Sequence, residues 1–345
     1  MYEGMYVNIE ASEDPESQVV ISEYYNFDRY GDVVVCNAKG RIYQYTEINK
    51  PDIDGYNQHM SEFDRSCVTI DDNNGRQNPN PALFGGIAKY EISKDFTFRG
   101  GDVITTLKGP LFYSYQKWRV QPMVEDELSF DRTDMNRPPV PTLIDGDIKL
   151  VFANLYNYFT DFTGRGADNQ EEFDRQSAKT TLALSLLDAD IIAVAEIENK
   201  GNMATNHLIG KLNNATSRTY LAATNEVLVN PEVGSDAIRV DIIYDSQMVT
   251  ALNGTTLTDE DVDADILAQS PSGQIFNGKS RVPLAVTFEV NSSGKRFTVV
   301  STHFKSKGPS NAVGDDIDKG DGAGAYDVTR TLSTLAVADW LSSNP

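Results

Sequence analysis

The chain has 345 residues, with 30 basic against 51 acidic side chains and a formal net charge of −21 at pH 7. That field opposes polyanions, so contact with nucleic acid needs a local basic patch or a bound divalent cation. No apolar run reaches the ~18–20 residues of a bilayer span, which argues against a membrane partner, and two cysteines cannot build a thiolate zinc site.

At 40% hydrophobic and 23% charged, the composition is that of a globular protein, and the length holds two domains. The opening MYEGMYVNIEASEDPE lacks the basic start and apolar stretch of a secretory leader. Either the protein is cytoplasmic or a leader lies upstream.

Residues 1–123 read as all-β. Short alternating runs (EGMYVNIE, GDVVVCNA, RSCVTIDD, GDVITTLKG, YQKWRVQP) are separated by turn clusters such as DDNNGRQNPNP. Five or so strands over this length suit a small OB-like β-barrel. Cys36 and Cys67 each fall inside a strand-like run, and pairing or two buried thiols are both compatible with that. The last hairpin carries Phe112, Tyr113, Tyr115 and Trp118 beside Lys108, Lys117 and Arg119. Such a cluster can stack the bases of a single strand. The alternative places these aromatics in the barrel core and a domain interface. The segment's 12 basic against 18 acidic residues favour that alternative.

Residues 124–146, VEDELSFDRTDMNRPPVPTLIDG, read as an acidic, proline-rich linker. From 147 the texture changes. DIKLVFANLYNYF is a buried strand that leaves at Asn154. DNQEEFDRQSAKTTLALSLLDAD is a helix, with Asp168 and Glu171 at capping-box spacing and Phe173, Leu182, Leu184 and Leu187 on its apolar side. DIIAVAEIEN is a second buried strand, followed by a short helix, ATNHLIGKLNNA, and the strand AIRVDIIYD. After a polar run come the hairpin SRVPLAVTFEV–NSSG–KRFTVVSTHF and a closing helix, AYDVTRTLSTLAVADWL. The order implies an α/β sandwich with sheets inside and helices outside.

Three of these strands end in chemistry. The first delivers Asn154 and Asn157, the second Glu196, Glu198 and Asn199, and the last His303. A carboxylate and a carboxamide at neighbouring strand ends are hard oxygen ligands, suited to Mg²⁺, Mn²⁺ or Ca²⁺. A histidine facing that ion can orient water or carry a proton, and Arg281 is a candidate phosphate clamp. Together they suit metal-assisted phosphodiester hydrolysis. Each also has a plainer reading: Glu196 paired with Lys200, Asn154 and Asn157 bonded to loop backbone, His303 a satisfied core histidine, Arg281 a surface cation. His207, in a helix, and His59, in a polar loop, have only the structural reading. Glu198 and Asn199 read as cap or supporting residues.

The ordered pieces ANLYNYF (153–159), RGADNQEEFDRQSAK (165–179), DADIIAVAEIENKG (188–201), SDAIRVDIIYD (235–245), SRVPLAVTF (280–288) and FTVVSTHFKSKG (297–308) resemble the endonuclease/exonuclease/phosphatase superfamily, which has the deoxyribonuclease I-like fold. Within it the likeness is to large extracellular bacterial nucleases of the ExeM/NucH type, and it runs across most of 147–345. YEGMYV, DRYGDVVV and WRVQP are similar to the OB-like domain those proteins carry first.

The resemblance implies a secreted, metal-dependent nuclease acting on DNA, with RNA as a further substrate; no protein partner is inferable from it. Glu196 would be the metal ligand. Asn154 would hold metal or scissile phosphate, Arg281, Asn157 and Lys305 would contact phosphate, and His303 would flank the scissile bond. A small-molecule phosphodiesterase or phosphatase of the same superfamily, and a non-catalytic nucleic-acid-binding protein acting through the OB-like domain, are the alternatives. The family's later motifs, an Asp-x-Asn strand end and a final Asp-His, are not found, and no histidine follows His303. The expectation is therefore a four-layer α/β sandwich over 147–345 lacking its C-terminal part, with little activity and an unpaired sheet edge.

Overall fold

The computed structural model describes residues 2–10, 12–14, 16–93, 96–131, 146–228 and 233–344. Two compact units form: Met1–Pro138 with Gly320–Gly322, and Pro139–Lys319 with Ala323–Pro345.

The first unit contains β1 (Tyr6–Glu10), β2 (Gln18–Glu23), β3 (Val33–Ala38), β4 (Cys67–Ile70), β5 (Val103–Ser114), β6 (Lys117–Val120) and β7 (Leu128–Asp131). These strands run β1-β5-β2-β3-β4-β6, with β7 also on β5. The long β5 meets β2 at Val103 and β6 over Leu111–Ser114, so the pairings lead from β5 through β2, β3, β4 and β6 back to β5. Gly109 makes this possible midway along β5. Its φ is 153°, and a Cβ there would sit 2.2 Å from the Gln121 carbonyl oxygen. Ile21, Val35, Ile70, Phe84, Leu107 and Leu128 fill the core.

Four expectations for this unit change. It is not all-β: besides the short α1 (Phe27–Tyr30) and α2 (Tyr45–Ile48) it holds α3 (Ile53–Ser66), which contains His59. Asp52 caps α3 by accepting from Gly55 N at 2.5 Å. Tyr56, His59, Met60 and Phe63 recur at helical spacing but are only half-buried, which weakens the apolar signal. Leu128–Asp131, assigned to the linker by sequence, is a strand paired with β5; 132–145 lie outside the described residues. Tyr113, Tyr115 and Trp118 are not core residues, being 49%, 87% and 36% exposed. Arg119 is not an available surface cation but is buried, with NH1 donating to Asp32 (2.5 Å) and Asp71 (2.8 Å). The open question of the cysteines is answered: Cys36 and Cys67 are cross-strand partners of β3 and β4 and form a disulfide.

The second unit contains β8 (Leu150–Tyr158), α4 (Gln170–Leu187), β9 (Ile191–Glu198), α5 (Met203–Ala215), β10 (Tyr220–Ala222), α6 (Ala223–Val227), β11 (Ile238–Asp245), β12 (Val249–Thr256), α7 (Ala264–Leu267), β13 (Leu284–Val290), β14 (Arg296–Ser301) and α8 (Asp327–Ser343). Two sheets result, β10-β11-β9-β8 and β12-β13-β14. The polar run after β11 thus contains a strand, β12, paired antiparallel with β13. Its inward positions carry Val249, Ala251, Gly254 and Thr256, and a bulge between Ala251 and Asn253 breaks the alternation, which hid it from a hydrophobicity reading.

Side-chain alternation along β9 builds the sandwich. Ile191, Ala193 and Ala195 join Val240 and Ile242 of β11 and Val286 and Phe288 of β13 between the sheets. Ile192 and Val194 face the other way, toward Leu184 of α4 and Leu208 and Leu212 of α5. Leu332 and Ala336 bring α8 onto the inter-sheet cluster. The result is an α/β sandwich. The cap of α4 is displaced by one residue from expectation: Asn169 accepts from Glu172 N (3.1 Å), and Glu172 Oε2 accepts from Asp168 N (3.0 Å). Leu182, expected on the apolar face of α4, is 62% exposed.

Candidate active site

Glu196 interrupts the alternation of β9. Its neighbours Ala195 and Ile197 pair with Val240 and Arg239 of β11 and with Asn154 and Tyr158 of β8, while Glu196 has no partner on either side. It is an inserted bulge residue, and its φ is +59°. The bulge reverses the phase, so that Ile197 joins the helix-facing cluster and the glutamate is turned out of the ladder. A glutamate in the left-handed region costs of order 1–3 kcal/mol, and such strain gathers at functional sites.

β8 bulges at the same level. Leu155, Tyr156 and Asn157 are inserted between the paired Asn154 and Tyr158, and Tyr156 and Asn157 have φ of +58° and +57°. The turn orients Asn154: its Oδ1 accepts from Tyr156 N at 2.8 Å, leaving Nδ2 to donate to Glu196 Oε1 at 2.9 Å. The same Glu196 oxygen lies 3.5 Å from His303 Nε2. Three side chains from distant parts of the chain therefore meet. Glu196 is not the partner of Lys200, which pairs with Asp161 instead (3.0 Å).

The β13–β14 hairpin supplies the rest. Arg281 N donates to His303 O at 3.0 Å, continuing the hairpin beyond its last ladder pair. Arg281 and Arg165 both approach Asp236, at 3.3 and 3.2 Å. Burial, and then the Arg281 charge, push His303 below the usual histidine value, against the opposite pull of Glu196 and Asp236. Its ring is accordingly neutral at pH 7. Among the described residues, His303 Nδ1 and Arg281 Nε are buried without a hydrogen-bond partner.

Asn157 does not join this group: among the described residues its side chain shares no hydrogen bond with Asn154, Glu196 or His303, and its carbonyl faces Gln176 Nε2 at 3.5 Å. Lys305 stands over the ring of Tyr326, its Nζ 4.8 Å from the centroid. Glu198 is buried and accepts from Thr160 N (3.0 Å) and Oγ1 (2.5 Å). Asn199 Nδ2 donates to the carbonyls of Val233, Gly234 and Asp236, holding the loop that carries Asp236. His207 is half-buried and bonded to Tyr158 OH at 2.9 Å.

Sequence reasoning missed Asp236 and Arg165. Both stand in the quoted motifs, but only the fold shows them converging on Arg281. No group of three or more His, Cys, Asp or Glu able to hold a metal occurs among the described residues. A thiolate- or imidazole-rich metal centre does not fit. A hydrated hard cation does, because such an ion keeps most of its waters and needs only one or two protein oxygens. Glu196 supplies a carboxylate already turned out of its sheet, and Asn154, whose Nδ2 faces it, orients that carboxylate.

No family model matches the chain, and no curated protein does. Among solved structures it is similar to the human Nocturnin catalytic domain with bound sulfate anion, at 14% identity and a TM-score of 0.34, over 57% of this chain and 58% of that one. It is also similar to the endonuclease/exonuclease/phosphatase from Bacteroides vulgatus (15%, 0.34, 56% and 59%). A third is D. rerio TDP2 complexed with single strand DNA product (13%, 0.32, 57% and 56%). The chain spans less than two thirds of each, and the likeness is distant.

Proposed function

We propose that this chain is a divalent-metal-dependent phosphodiesterase of the endonuclease/exonuclease/phosphatase superfamily, with the deoxyribonuclease I-like fold, acting on DNA and secondarily on RNA. The observation that carries it is the meeting of Asn154, Glu196 and His303 at adjacent strand ends, with Arg281 alongside.

Glu196, oriented by Asn154, would hold Mg²⁺ or Mn²⁺, and the ion would supply Lewis-acid polarisation of a phosphoryl oxygen. Arg281, whose Nε has no partner among the described residues, would bind phosphate. Asp236 keeps that guanidinium in place. With Nε2 toward a carboxylate, the neutral His303 can present an N–H there, and through it can hydrogen-bond a phosphoryl oxygen without giving up the proton. Among the described residues of the second unit the other histidine, His207, is bonded to Tyr158 OH at 2.9 Å, so His303 is the imidazole of this site.

The exposed cross-strand pair Tyr113 and Trp118, rings 5.1 Å apart, favours a supporting role for the first unit as an OB-like, strand-binding domain. The Cys36–Cys67 disulfide supports an extracellular, secreted protein of the ExeM/NucH type, since such bonds persist in oxidising compartments. The test is incubation of the full chain with plasmid DNA and Mg²⁺. Nicking that stops in Glu196→Gln and in His303→Ala is expected. Nicking that persists in both variants would contradict the proposal.

A further inference from the structure

Beyond their ladder, β13 and β14 stay side by side. Arg281 N donates to His303 O and Lys305 N to Ser280 Oγ, each at 3.0 Å. Side chains on two such extended segments alternate between faces. Ser280 and Val282 point inward and are buried. Ser280 bonds Ser333 of α8 at 2.8 Å, and Phe304 packs on the inter-sheet cluster. The other face carries Arg281, His303 and Lys305, with Lys279 in the turn just before, all half-buried.

Lys279 and Lys305 converge on one ring: their Nζ atoms lie 5.4 and 4.8 Å from the centroid of Tyr326. That ring is fixed, being 1% exposed with its hydroxyl donating to Ser310 O at 2.6 Å. Among the described residues neither ammonium lies within ion-pair distance of a carboxylate, although the chain carries 51 acidic residues. Burial, then Arg281 and Lys279, hold Lys305 below the ordinary lysine value, against the opposite pull of Asp236. Like charges gathered on one face of a strongly acidic protein repel each other, and a polyanion laid along that face relieves the repulsion.

We propose that Lys279 and Lys305, fixed over Tyr326, form a second phosphate subsite that takes the backbone phosphate neighbouring the one at Arg281 and His303, so that the substrate is a nucleic-acid strand and not a lone phosphoester. This rests on the phosphodiesterase reading above. The two lysines together hold one phosphate, and a single strand gives a salt slope of about −0.7 per phosphate.

The test is fluorescence anisotropy of a labelled single-stranded oligonucleotide with the full chain, in EDTA and over a range of salt. In Lys279→Gln/Lys305→Gln, affinity at low salt is expected to fall at least about tenfold and the salt slope to shrink by about 0.7. Lys279→Arg/Lys305→Arg is expected to restore both, which excludes misfolding, and Lys295→Gln, at the far turn of the hairpin, to change neither. A glutamine pair that binds like the wild type, or a wild type that binds no oligonucleotide, would overturn the subsite. Lysine-dependent binding by a chain that never cleaves with Mg²⁺ would overturn the phosphodiesterase reading alone.

Discussion

Glu196 Oε1 accepts a hydrogen bond from Asn154 Nδ2 at 2.9 Å, across two parallel strands that both bulge at that level. The glutamate would not be there in a regular ladder. The amide holds one carboxylate oxygen in place, and the bulge gives the carboxylate its direction. Glu196→Gln removes the charge but keeps the shape. It is expected to reduce phosphodiester cleavage at least about a hundredfold, or roughly 3 kcal/mol in the barrier, with a melting temperature close to wild type. Steady-state cleavage beside a thermal melt checks this.

Asn199 acts at a distance. Its amide donates to three carbonyls of the loop before β11 and accepts from Val233 N at 3.2 Å. Asn199→Ala leaves these groups without their partner and is expected to cost about 1–3 kcal/mol in urea unfolding. It should also slow cleavage, because Asp236 is then no longer held against Arg281.

Asp72 makes the first unit sensitive to pH. Burial, with Asp71 and Asp32 adding to it against the Asn74 N–H, raises its carboxyl from 3.8 to about 6. Between those values the folded state holds more protons than the unfolded chain, so stability is full below pH 4 and declines as pH rises through about 6. Asp72→Asn is expected to flatten that decline and to exceed wild type at pH 7 by about 1–3 kcal/mol, read from denaturation at several pH values.

The disulfide closes a loop with a sequence separation of 31. Cys36→Ser/Cys67→Ser is expected to lower stability by about 3–4 kcal/mol. A chemical melt of oxidised wild type against this variant gives the number.

The strand ends were legible because each apolar run stops at a polar residue: IIAVA before Glu196, VVST before His303. Asn154 was found the same way. Asn157 shares no hydrogen bond with that group among the described residues; it is the last residue of a three-residue bulge, and alternation carries no sign of such an insertion. Asp236 and Arg165 escaped notice because a charged residue in a loop looks the same in sequence whether or not an arginine from another strand comes to it. The helix α3 was missed for a related reason. Its side chains are at best half-buried, so tertiary position, not hydrophobic contrast, marks it.

The claim on which the rest depends is that a cation held at Glu196 lies beside His303. With only three histidines in the chain, their ring-proton NMR signals can be followed during Mn²⁺ titration. Paramagnetic broadening is expected first and most strongly at His303, ahead of His59 and His207, and it should vanish in Glu196→Gln. Broadening that spares His303, or that survives the loss of the carboxylate, would contradict the account.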